Sequence, residues 1–260
     1  MIQALINNKW ESINDNNLLL GTDTFSFGTG LYETFRTLEW KPIFLEPHLD
    51  RLFNSAKITN IKIHYSRSQI LEMIQEVILN FEDPNQLVRI LAVPENFIVY
   101  TSQLNLDPKI YEGVSALTVS ANRETPDVKT TNYKVCLKAW EKANDSGCFE
   151  SILLDADGVV LEGSRSNVFW IKDGKIITRE NNVLPGITRQ IIILRSPFPI
   201  SFGLLYQSNF SDIDELFITN SGSGVIPIIK MDSVEIGTGG VGSITKELLR
   251  LYNQWLHEHC

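Results

Sequence analysis

At 260 residues, with 43% hydrophobic and 10% aromatic content, the chain can fill one large core or two smaller ones, which excludes a disordered or fibrous protein. A formal charge of -8, from 31 acidic against 23 basic residues, argues against a nucleic-acid partner but leaves small anions open. Cys136, Cys148 and Cys260 lack zinc-type spacing and read as reduced thiols of a cytoplasmic protein, and no leader or apolar run of bilayer length suggests export or a membrane partner.

Short strands open the chain, and two helices follow. The first is expected over about 47–56, with Leu49, Leu52, Phe53 and Ala56 on one face. The second starts after Ser66, where Ser66 and Gln69 have capping-box spacing, and carries Ile70, Leu71, Ile74, Val77, Ile78 and Phe81. Extended segments come next, at about 87–93 and 97–101. Turn formers over 101–113 mark a passage between two halves, taken as 1–110 and 114–260. The second half begins with a strand near 115–120 and a helix through Val135, Leu137, Ala139, Trp140 and Ala143. Asp157-Gly158 and Asp173-Gly174 signal hairpins. A helix begins near Thr188 and is cut early by Pro197 and Pro199; the strand ELFITN then runs into a Gly/Ser loop. The final helix, from Ser243, aligns Ile244, Leu248, Leu251, Tyr252 and Trp255. Strands and helices in separate clusters make an α+β protein. GTGGVGS, residues 237–243, lacks a P-loop lysine and reads as a turn into the last helix. The tail His257-Glu258-His259-Cys260 reads as a frayed terminus rather than a metal cluster. His48 and His64 have no partner spacing and receive no role.

Six motifs stand in order: Phe25 to Arg36 (FSFGTGLYETFR), His48 to Leu52 (HLDRL), Lys129 to Tyr133 (KTTNY), Leu161 to Asn167 (LEGSRSN), Leu184 to Arg189 (LPGITR) and Ile218 to Ser221 (ITNS). Together they resemble the class IV aminotransferases, the pyridoxal-phosphate enzymes of fold type IV. The resemblance covers nearly the whole chain. It implies a smaller α+β N-terminal domain, a β-barrel-like C-terminal domain with helices, pyridoxal 5'-phosphate between them, and a homodimer.

The resemblance also assigns residues. Lys129 is the lysine that holds the cofactor as a Schiff base, a role that needs an amine kept partly unprotonated by a dry pocket. Glu162 is the acid beside the ring nitrogen, where a carboxylate keeps the pyridine protonated. Arg51 is the phosphate-binding arginine, whose planar fork suits phosphate oxygens. Ile187 and Thr188, after Gly186, offer free amides at a helix start, and Ser221 adds a second hydroxyl contact. Tyr133 is similar to a family tyrosine that bonds the cofactor's ring oxygen. Lys134 and Lys138 belong on the exposed side of the following helix.

Within the family, Glu33-Thr34-Phe35-Arg36 resembles the 4-amino-4-deoxychorismate lyase pattern, in which Thr34 would assist protonation of departing pyruvate. Branched-chain aminotransferases usually have glycine there. The leading expectation is therefore a lyase that makes 4-aminobenzoate and pyruvate for folate synthesis. A branched-chain or D-amino acid aminotransferase is the alternative, and a non-catalytic cofactor-binding protein a remote one. Leu91 to Asn96 lacks the Arg-x-His pair of D-amino acid aminotransferases, and Arg89, just before it, is a possible carboxylate contact. The lyase's Arg-Gly after the central strand is missing too, and the chain between Arg189 and Asp214 is shorter than the family norm.

Overall fold

The computed structural model describes residues 1–259. Contacts divide the chain into two compact units. The first holds Met1–Asn105, Val128–Lys134 and the residues from Leu256 onward; the second holds Leu106–Asp127 and Val135–Trp255. Residues 128–134 thus cluster with the first unit, although they lie inside the range 114–260 expected for the second half.

The first unit is built on an antiparallel sheet. A hairpin of β1 (Ile2–Ile6) and β2 (Lys9–Ile13) turns at Asn7 and Asn8, with φ of 50° and 63°. Two consecutive positive φ values match the strand twist, and asparagine tolerates them. β3 (Leu31–Leu38) and β4 (Lys41–Pro42) follow, then α1 (Leu45–Thr59), α2 (Arg67–Leu79), β5 (Gln86–Val93) and β6 (Asn96–Gln103). The strand order is β2-β1-β6-β5-β3-β4. Ser66 and Gln69 make the expected capping box of α2.

Side-chain alternation gives this sheet two apolar faces. Leu31 and Phe35 of β3 point to one, with Val88 and Ile90 of β5, Leu49 and Leu52 of α1 and Ile70 and Ile74 of α2. Tyr32 points to the other, with Leu91, Ile98 and Tyr100. Burying both faces holds β3, β5 and β6 rigid, and these strands carry the residues that matter below.

The second unit contains a nine-stranded sheet. Its elements are β7 (Val114–Ser120), α3 (Lys134–Asp145, beginning at the unit boundary), β8 (Glu150–Leu154), β9 (Val160–Gly163), β10 (Asn167–Lys172), β11 (Lys175–Thr178), α4 (Ile187–Arg195), β12 (Ile200–Phe202), β13 (Glu215–Asn220), β14 (Gly224–Met231), β15 (Val234–Glu235) and α5 (Ser243–Glu258). The path runs β12-β11-β10-β13-β14-β7-β8-β9, with β15 beside β14. Just beyond β12, the Leu205 carbonyl accepts from Val160 N–H of β9 at 2.8 Å, and Val159 bridges Tyr206. The two ends of the sheet are thereby stitched together, which curls it toward a barrel. Antiparallel pairing dominates both sheets, although α3 joins the parallel neighbours β7 and β8 and α4 the parallel neighbours β11 and β12, so the protein is α+β with helices and strands less separated than the sequence suggests.

Two expectations about the C-terminal region meet a specific structure. Residues 237–243 do lead into α5, and the Glu215 carboxylate accepts from the Ile244 and Thr245 amides, at 3.0 and 2.7 Å. The anion site of that helix start is filled by the protein itself. The tail is less frayed than expected: α5 includes His257 and Glu258, and the His259 ring packs edge-on against Phe44 at 4.5 Å. Cys260 lies outside the described residues. Cys136 and Cys148 are free thiols. Among the described residues, no helix is long and apolar enough to cross a membrane.

Candidate active site

Lys129 is set by backbone pairing to β3. Its carbonyl accepts from Tyr32 N–H at 3.0 Å, and Thr131 N–H donates to the Gly30 carbonyl at 2.9 Å. The Thr131 hydroxyl takes the Gly30 amide at 2.8 Å, closing the attachment. The lysine amine is then carried to 4.3 Å from the centroid of the Tyr32 ring. Tyr133, four residues on, meets Tyr32 edge to face at 6.0 Å. An ammonium over an aromatic face is attracted by the ring quadrupole, and the half-buried position strips some of its water. Lys134 and Lys138 are both exposed, as expected.

Thr34 stands in register with Arg89 of β5, and Arg89 with Tyr100 of β6. Arg89 Nε donates to the Thr34 hydroxyl and Nη1 to the Tyr100 hydroxyl, both at 3.3 Å. These are long bonds to neutral oxygens. Among the described residues, no carboxylate pairs with Arg89. A half-buried guanidinium with only neutral partners leaves room for an external anion.

Arg51 comes from the second turn of α1 and points at β3. Its Nε and Nη2 donate to the two oxygens of Glu33, each at 2.7 Å. His48, one turn earlier, places Nδ1 2.8 Å from the same carboxylate. Glu33 and His48 are each 1% exposed and Arg51 is 8% exposed. Burial alone would raise the Glu33 pKa, but Arg51 and then His48 outweigh it and hold the carboxyl at about 2. Burial pushes the His48 imidazole below its ordinary value, against the pull of Glu33, and the charges of Arg51 and Lys129 act the same way. The sequence assigns neither Glu33 nor His48 a role in the site. The available signal is a carboxylate at the inward position of Leu31-x-Glu33-x-Phe35, where the alternation calls for an apolar side chain.

In the second unit, Glu162 lies on β9 and is 4% exposed. Arg123 donates to one of its oxygens at 2.7 Å. The other accepts from the Leu184 amide at 2.9 Å, with the Asn167 amide group at 3.5 Å. Asn167 also donates to the Leu184 carbonyl at 2.9 Å, so it ties β10 to the segment entering α4. Arg123 and Glu162 line a cavity of about 270 Å³, together with Asp155, Leu161, Arg179 and Asn182. Arg123 carries no motif, and its partnership with Glu162, 39 positions away, is invisible in sequence.

Ile187 and Thr188 open α4, and both are 2% exposed. Gly186 is the N-cap and provides no side-chain bond to the first-turn amides. Those amides point outward from the helix start with no intrahelical acceptor. A Cβ on Gly186 would stand 1.9 Å from the Asn167 side-chain oxygen, so only glycine fits. The Thr188 hydroxyl is 3.4 Å from the Tyr252 hydroxyl. Ser221 lies in the turn after β13, shaped by Asn220, whose side chain accepts from the Gly222 and Ser223 amides at 3.0 and 2.7 Å. The pairing of Asn167 with Thr219 joins this strand end to the Glu162 network.

The expected site residues therefore form two groups. Lys129, Tyr133, Thr34 and Arg51 belong to the first unit; Glu162, Ile187, Thr188 and Ser221 belong to the second. Helix α4 stops at Arg195 before Pro197, as its prolines require.

The first unit thus presents a lysine seated on tyrosine and an arginine in a fixed fork, and the second a buried carboxylate and an uncapped helix start. Residues 30–231 match the family model for amino-transferase class IV, and the chain belongs to that family. It is 30% identical to a branched-chain-amino-acid aminotransferase of Pseudomonas aeruginosa, over 89% of this chain and 85% of that protein. It is 28% identical to a D-alanine aminotransferase of Listeria monocytogenes, over 100% and 98% of the two. The fold superimposes on the branched-chain amino acid aminotransferase of Escherichia coli at a TM-score of 0.85 and 22% identity, covering 98% and 94% of the two chains. Another aminotransferase with this fold was solved with pyridoxamine 5'-phosphate.

Proposed function

We propose that this chain is a pyridoxal-phosphate-dependent aminotransferase of branched-chain or D-amino acids. The lyase expected from Thr34 takes second place, because the named relatives, matched over most of their length, are aminotransferases. The observation that carries the reading is the seat of Lys129, an amine fixed against Tyr32 by strand pairing rather than free on the surface.

The residues present fit the cofactor. Arg51, the amides of Ile187 and Thr188, and Ser221 would hold its phosphate. Lys129 would hold its aldehyde end and Glu162 its ring nitrogen, with Tyr133 near the ring oxygen. Pyridoxal phosphate, when bound, supplies an electron sink for charge developing at the substrate's α-carbon. The chain's own residues do the rest. Lys129 Nζ would carry the proton to and from that carbon. Arg89 accepts a substrate carboxylate in place of its two long bonds to neutral hydroxyls. Tyr32 and Tyr133 wall the amine and limit water.

The second reading rests on Thr34, whose hydroxyl lies 3.3 Å from Arg89 Nε and could serve a departing pyruvate. One assay separates the two. Purified, cofactor-loaded protein is offered L- and D-amino acids with 2-oxoglutarate, and separately aminodeoxychorismate. Acceptor-dependent amino transfer is expected. Release of 4-aminobenzoate and pyruvate without an acceptor would return the lyase to first place. Lys129→Ala is expected to abolish the borohydride-reducible bond to the cofactor; a bond at normal yield in that variant would refute the role of Lys129.

A further inference from the structure

Glu33 is a costly residue in its place. It occupies one inward position of β3 between Leu31 and Phe35, inside a wall completed by Leu49 and Leu52 of α1. A valine there would extend the core without desolvating a charge. His48 is equally sealed, and its ring lies 5.5 Å from that of Phe35. Neither side chain can reach a substrate as an exposed group would. Both act on Arg51.

The geometry fixes that action. Two parallel bonds from Nε and Nη2 to one carboxylate define the plane of the guanidinium and the direction of its remaining edge. His48 stands one turn before Arg51 on α1, so it approaches the same carboxylate from the same helix face. An ionised carboxylate only accepts, so the imidazole must present Nδ1–H to it. That bond prevents Glu33 from rotating away. Arginine would otherwise lose rotamer freedom on gripping an anion; here that ordering is already done in the folded chain.

We propose that Glu33 and His48 are positioning residues that pre-set Arg51 as the phosphate clamp of the cofactor site. The inference rests on the reading of Arg51 as a phosphate contact. A rival account makes Glu33 a mere counter-charge for a buried arginine. The two differ in sign. If Glu33 only neutralises Arg51, removing its negative charge strengthens attraction for phosphate. If Glu33 aims Arg51, removing it weakens the grip despite the better charge balance.

The test compares pyridoxal 5'-phosphate with pyridoxal, which lacks the phosphate. Full-length protein isolated without added cofactor is titrated with each, following the absorbance of the lysine-bound form. Wild type is expected to prefer the phosphorylated form strongly. Glu33→Gln is expected to lower that preference about ten-fold while affinity for pyridoxal holds. His48→Leu should lower it in the same way, and His48→Asn, whose amide can stand in for Nδ1–H, should restore most of it. An unchanged or increased preference in Glu33→Gln overturns the proposal, and so does an equal loss of both ligands. If Glu33→Gln does not fold, the His48→Leu and His48→Asn pair decides by the same criteria. Arg51→Gln separates the two layers. If it leaves the preference intact, the phosphate role of Arg51 fails; if it alone collapses the preference, only the positioning proposal fails.

Discussion

Two buried carboxylates, Glu33 in the first unit and Glu162 in the second, each meet an arginine, and the two pairs are closed to different degrees. Glu33 gives both oxygens to one guanidinium and shares one of them with His48, and the arginine is buried with it. Glu162 divides its oxygens. One faces Arg123, which is 17% exposed and lines a cavity; the other accepts from the Leu184 amide, close to Asn167. The sealed pair has spent its bonding on shape. The divided one keeps a carboxylate whose charge is answered on one side by an arginine near water and on the other by neutral amides. That arrangement leaves a carboxylate beside a cavity, whereas the first suits a group that holds another residue still.

Breaking the sealed pair should have the largest effect. Glu33→Ala leaves a buried guanidinium without its counter-ion and should cost about 3–5 kcal/mol of stability, read from denaturant unfolding. The pH dependence sharpens the point. Glu33 titrates near 2 in the fold against 4.5 as a free side chain. Between those values the unfolded chain binds the extra proton, so stability rises with pH across the window and is lost as pH falls through it. The amount is on the order of 3 kcal/mol. His48 acts in the same sense at higher pH. Its proton is disfavoured in the fold, so stability begins to fall as pH drops below about 6.5. Glu33→Gln should flatten the lower window; an acid-unfolding curve identical to wild type would show that the pair carries no such weight.

How far these pairs can be read from sequence depends on the kind of contact. Both α1 and α2 are legible, because burial of one helix face leaves a 3.6-residue period. Arg51 and Glu162 are legible only through motifs. The Asn7-Asn8 turn has suitable residues but sits in a strand region too short to show alternation. The turn at Glu39 and Trp40, with φ of 51° and 61°, uses residues that no turn rule selects; tertiary pairing of β3 with β4 imposes it. The partners of the motif residues are the hidden part. His48 and Arg123 each acquire meaning from a contact made across the fold, and a single sequence records no such distance.

The neutral side of the Glu162 network can be broken next. Gly186→Ala drives a Cβ to 1.9 Å from the Asn167 side-chain oxygen. Asn167 cannot swing away without giving up its bond to the Leu184 carbonyl. The substitution should cost about 1–3 kcal/mol, and cofactor affinity should fall with it, because the start of α4 must shift. Stability and affinity both within error of wild type would show that the segment has slack that its contacts do not reveal.

The smallest expected effect is also the most discriminating. Arg123→Gln should cost only about 1 kcal/mol, because the guanidinium is already partly hydrated and glutamine retains a donor. What separates it from the Glu33 pair is salt. A charge pair open to the cavity is screened when the Debye length shrinks, while a pair sealed from water is screened much less. Raising salt from about 0.05 M to about 0.5 M should therefore narrow the gap between wild type and Arg123→Gln. The gap between wild type and Glu33→Ala should stay nearly constant over the same range. Unfolding midpoints of the three proteins at both salt levels read this directly. If neither gap responds, the cavity does not admit ions to Arg123 and the two carboxylates are equally closed; if both narrow alike, the Glu33 pair is as open as the other.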